Sequence, residues 1–68
     1  MEKQRPNYKA MTGNERLVVA GLLEKFDKAV RLRNVVDAVT ILQQVDYSKS
    51  EGESIVKTIF ENPSKYGY

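Results

Sequence analysis

Carboxylates, lysines, arginines and tyrosines supply all the ionisable side chains of this 68-residue chain; histidine and cysteine are both absent. Without them the common nucleophilic triads and dyads cannot be built. Zinc sites made from His and Cys are excluded, and so is any disulfide. The acidic side chains fall at helix starts and in surface pairs. None sits within an apolar stripe, where burial would raise its pKa for acid–base work. The expectation is a non-enzymatic protein with no metal and no cofactor.

One stretch imitates a metal loop. Asp46, Ser48 and Ser50 alternate in "DYSKSEGES". A calcium loop needs glycine at its sixth place and a bidentate glutamate at its twelfth. Here those places hold Glu51 and Lys57. A turn followed by a helix cap accounts for the stretch better. Gly13, Gly21, Gly52 and Gly67 are scattered and form no phosphate-binding loop.

The tyrosines offer contact chemistry instead. Tyr8, Tyr47, Tyr66 and Tyr68 all fall outside the apolar-periodic stretches. A tyrosine pairs a large apolar ring with a wet hydroxyl, so it suits the edge of a small core or a binding surface. Leu17, Leu32 and Val36 fall off the main apolar faces of their helices. Leu17 shares a side with Gly21, which would permit close helix approach. The candidate partner contacts are therefore Leu17, Gly21, Leu32, Val36, Tyr47, Tyr66 and Tyr68.

Charge offers an alternative. Residues 1–11 hold Lys3, Arg5 and Lys9 against Glu2, while residues 12–68 hold eight basic and eight acidic side chains. The formal excess of +2 thus lies in the N-terminal arm. Lys3, Arg5 and Lys9, joined by Arg31 and Arg33, are the candidate nucleic-acid contacts. A helix-turn-helix reading is weaker, because its recognition helix would carry Lys57 alone against Glu51, Glu53 and Glu61.

The elements that must position these residues read as an all-α chain, a small three-helix bundle. Residues 1–11 are expected as a flexible basic arm and 12–62 as the helical domain. Thr12 and Glu15 have capping-box spacing. Val19, Leu22, Leu23, Phe26, Ala29 and Val30 then recur at helical spacing, predicting a helix over about 13–33. Asn34 caps a second helix at about 35–45, with Val35, Ala38, Val39, Leu42 and Val45 on its face. Ser48 with Glu51, or Ser50 with Glu53, caps a third at about 50–61. Asn62-Pro63 ends it, leaving 63–68 as a tail that could dock on the bundle.

The arrangement "NERLVVAGLLEKFDKAV", a short helical middle, then "NPSKYGY" resembles short bacterial helical proteins of unknown function. The resemblance covers most of residues 13–68. It implies no activity and no site residues.

No run of about 18 apolar residues exists to span a membrane. The first residues lack the apolar stretch of a secretory signal. A cytoplasmic location is expected. So small a chain buries only about 60% of its unfolded surface, which favours a partner or self-association. The expected function is binding another protein or a second copy, as in a homodimer. The alternative is an accessory role on nucleic acid through the basic arm.

Overall fold

The computed structural model describes residues 7–68. Among them every regular element is helical. Helix α1 spans Gly13–Ala20, α2 Leu23–Arg31, α3 Val35–Gln44 and α4 Lys49–Glu61. Short 3-10 turns precede and follow them at Tyr8–Ala10 and Pro63–Tyr66. No helix among the described residues is long and apolar enough to cross a membrane.

Among the described residues the fold is all-helical, but the α-helices number four rather than three. The stretch expected as one helix over 13–33 is two, because Gly21 adopts φ +72°. Its amide turns back to Val18 O, and the Leu22 amide bonds Leu17 O at 2.8 Å. That pair of bonds is the Schellman ending, in which a left-handed residue closes a helix. The same closure recurs at Arg33, Asp46 and Gly67, each with positive φ. At Arg33 the amides of Arg33 and Asn34 return to Val30 O and Ala29 O.

The starts of the helices follow local chemistry. Thr12 Oγ1 accepts from the Glu15 amide, while the Glu15 carboxylate accepts from the Thr12 amide. Ser48 and Glu51 form the same reciprocal box. The Ser48 amide, then its hydroxyl, hold the Glu51 carboxyl below its ordinary pKa. Helix α4 begins at Lys49, so the calcium-like stretch is consumed by turn and cap. Asn34 Oδ1 caps α3 by accepting from the Asp37 amide.

Phe26, Ala29 and Val30 of α2, Ala38, Val39 and Leu42 of α3, and Val56 and Ile59 of α4 form the core. Val45 closes one end of it with no exposure. Helix α3 packs chiefly on α4 and α2. Gly52 lets α4 come close, since a Cβ there would sit 3.2 Å from Val39 Cγ1.

Breaking the first helix also re-phases it. Leu17, expected off the core, is 4% exposed and packed into it. Val19, expected inside, is half exposed together with Val18. Gly21 is exposed with nothing near its missing Cβ, so it serves a helix ending rather than a close helix contact. The flexible arm expected through residue 11 ends earlier. Tyr8 is buried in the core from within its 3-10 turn, and Met11 packs against that core. Residues 1–6 of that arm, with Lys3 and Arg5, lie outside the described residues.

One buried residue had no place among the candidates. Arg16 is 8% exposed. Its Nε donates to Met11 O at 3.2 Å and an Nη to Val45 O at 3.0 Å. Its guanidinium carbon lies 4.0 Å from the centre of the Tyr47 ring. One side chain thus ties α1 to the end of α3 and to the turn that precedes α4.

Candidate partner-binding site

The fold scatters the candidate residues into separate places. Leu17, Tyr66 and Tyr68 line one small apolar cavity with Leu23, Phe26 and Ile59. Tyr47 lies under Arg16 at the far end of α3. Leu32 and Val36 flank the turn between α2 and α3, where they are 67% and 74% exposed. Lys9 lines a polar hollow beside Asp46 and Tyr47. That hollow sits at the end of α3 away from Arg33, about 15 Å along a ten-residue helix. The described part of the basic arm therefore does not join Arg31 and Arg33.

The turn of Leu32–Asn34 is fixed by its own hydrogen bonds. The Leu32 amide donates to Lys28 O, and the Schellman bonds of Arg33 and Asn34 lock the backbone. Asn34 then holds Asp37 twice, through its capping oxygen and through Nδ2 to the carboxylate at 2.8 Å. Leu32 and Val36 thus stand on a fixed corner rather than a loose loop. Val35 joins them at 45% exposed. The wheel of α3 placed it inside, but it stands at the rim, where it shares a shallow trough with Phe60.

Three flanks surround this corner. On the Leu32 side lie Lys25 and Lys28, with Asp37. On the Val35 side the trough carries Glu53, Lys57 and Glu61. The third flank is a cleft of about 380 Å³ lined by Val30, Arg31, Arg33, Phe60, Pro63, Gly67 and Tyr68. The Arg33 guanidinium lies over the Phe60 ring, 4.8 Å from its centre.

The tail builds one wall of that cleft. Gly67 at φ +86° lets the Tyr68 amide return to Pro63 O, so the last ring folds back onto the body. The Tyr68 hydroxyl donates to Asp27 Oδ1. Burial, this hydrogen bond and the Asp27 charge together push the hydroxyl pKa well above its ordinary value; nearby Arg31 opposes them. Tyr66 remains exposed, with Lys65 near its ring.

Among the described residues no group of three or more Asp, Glu, His or Cys could hold a metal. Sequence reasoning found Leu32, Val36, Arg31 and Arg33 separately. It did not place Gly67 and Tyr68 as a wall beside the two arginines. The signal was Gly67, whose left-handed turn sends Tyr68 inward. No protein-family model, no curated protein and no solved structure matches the chain.

Proposed function

We propose that this protein is a small non-enzymatic interaction module that docks a protein partner on the corner between α2 and α3. The observation behind this reading is that Leu32, Val35 and Val36, close in sequence around one turn, are each exposed on a backbone locked by its own hydrogen bonds. Isolated exposed apolar residues are ordinary, but a grouped and rigid set marks a contact surface. Burying each such side chain is worth about 1.5–3 kcal/mol at most. Three of them suffice to anchor a modest interface once charged flanks assist.

Affinity capture from host lysate tests the reading, comparing the natural chain with a Leu32→Ser/Val36→Ser double variant under nuclease. A stoichiometric protein held by the natural chain and lost by the variant is the expected result. Equal recovery by both would remove the corner from the function. Recovery that vanishes with nuclease would move the function to nucleic acid.

A further inference from the structure

We infer that the partner presents an acidic segment, one of whose carboxylates enters the cleft between Arg31 and Arg33 while a neighbouring apolar side chain covers Leu32 and Val36. This rests on the corner being the docking face. The charge arrangement carries it. The carboxylates closest in sequence to the two arginines are already engaged inside the chain. Asp27 stands four residues before Arg31, the spacing of a helical ion pair, yet its Oδ1 takes the Tyr68 hydroxyl. Asp37 is held by Asn34. No hydrogen bond or ion pair ties Arg31 or Arg33 to an Asp or Glu side chain among the described residues, where Asp27 and Asp37 take Tyr68 and Asn34 instead.

The cleft is suited to a carboxylate that comes with an apolar body. Its lining joins two guanidinium groups to Phe60, Val30 and the Tyr68 ring, with no acidic side chain. A guanidinium fork matches a carboxylate in two parallel hydrogen bonds. Arg33 also holds a left-handed backbone, φ 57°, where glycine would sit without strain. Strain at a non-glycine residue points to a use for its side chain.

The other occupants fit less well. A second copy seated symmetrically would have to turn its Glu53 and Glu61 flank onto these arginines, since its own cleft has no acidic lining. A nucleic-acid backbone would gain nothing from Leu32, Val35 and Val36, and it would meet Glu53 and Glu61 on the Val35 flank.

The test is selection of a displayed library of random dodecapeptides on the full-length protein, followed by fluorescence anisotropy with the strongest binder. The expected peptides carry Asp or Glu within a helical turn of Leu, Ile or Phe. Their Kd should rise about tenfold or more in Arg31→Gln/Arg33→Gln, and about tenfold in Val36→Ser. Arg31→Lys/Arg33→Lys should fall between, keeping charge but losing the fork. Circular dichroism should show all variants folded. Peptides without acidic preference, bound equally by the Gln variant, would overturn the carboxylate inference and leave the docking corner standing. Peptides indifferent to Val36→Ser, or none selected, would overturn both. Oligothymidylate binding that needs the same arginines, with no peptide selected, would transfer the cleft to nucleic acid. A dimer seen by light scattering and abolished by Val36→Ser would give the face to a second copy.

Discussion

Arg16 carries a charge into the interior, close enough to Glu51 for its field to be felt, and needs direct partners there. Two main-chain oxygens, Met11 O and Val45 O, and the face of Tyr47 take that role. Hydrogen bonds from charged donors contribute about 1.5–3 kcal/mol each, and orphaning buried carbonyls adds a penalty. Arg16→Met should therefore destabilise the fold by about 2–3 kcal/mol. A domain of this size holds only roughly 3–10 kcal/mol in total, so the melting temperature should fall by some 10 °C or more. Thermal unfolding followed by circular dichroism measures it; an unchanged melting temperature would strip Arg16 of its structural role. Arg33 should behave in the opposite way. Arg33→Gly relieves about 1–2 kcal/mol of left-handed backbone cost. It loses a ring contact worth about 0.5–1 kcal/mol. The expected net is a gain of up to about 1 kcal/mol in urea unfolding. A loss instead would mean that Arg33 supports the fold, not a partner. At Tyr68 the prediction concerns pH. The folded state raises the hydroxyl pKa, so it favours the neutral phenol. That stabilisation is whole below the ordinary tyrosine value of about 10 and is lost as the pH climbs above it. The stability difference between the natural chain and Tyr68→Phe should stay constant from neutral pH to about 9 and shrink beyond 10. A difference that stays flat into strong alkali would show that the Asp27 bond does not hold the tail.

At the scale of elements, local spacing was a good guide and helix endings were a poor one. The Thr12–Glu15 box was legible, because it depends on two residues three apart, and the second was narrowed to Ser48 with Glu51 or Ser50 with Glu53, of which the first forms. The break at Gly21 was not legible. A lone glycine inside an apolar-periodic run reads only as a weak point, and the wheel of an unbroken helix then assigned Leu17 and Val19 to the wrong sides. Arg33 and Asp46 carried no sign of a left-handed turn, since neither is the glycine such positions favour. Val35 was misplaced because its cover depends on where α4 runs, which α3's own periodicity cannot report. Arg16 lacked a clear local signal, since Val45 O and the Tyr47 ring reach it only in the folded chain. Gly21→Ala separates the two descriptions of the first helix. In one continuous helix, alanine would stabilise by about 0.5–1 kcal/mol. At the observed φ of +72° it should instead destabilise by about 1–2 kcal/mol, although nothing crowds the site.

For the whole molecule, stability and binding should be separable at the α2–α3 corner. Leu32 and Val36 are mostly solvent-exposed, so changing them to serine should alter unfolding by about 0.5 kcal/mol or less. A partner held there at a hundred times its Kd would add about 2.7 kcal/mol to the folded state. That is a large share of what so small a core supplies, so a thermal-shift assay should register the partner clearly and the double serine variant should erase the shift. The four tyrosines occupy four unlike settings: buried for Tyr8, beneath a guanidinium for Tyr47, open for Tyr66, and hydrogen-bonded to a carboxylate for Tyr68. The chain has no tryptophan. The tyrosines therefore dominate its ultraviolet emission, and the ring that walls the arginine cleft is one of them. A ligand that shifts the Tyr68 ring would alter the phenol's contact with Asp27, so the unlabelled protein would carry its own optical gauge of occupancy.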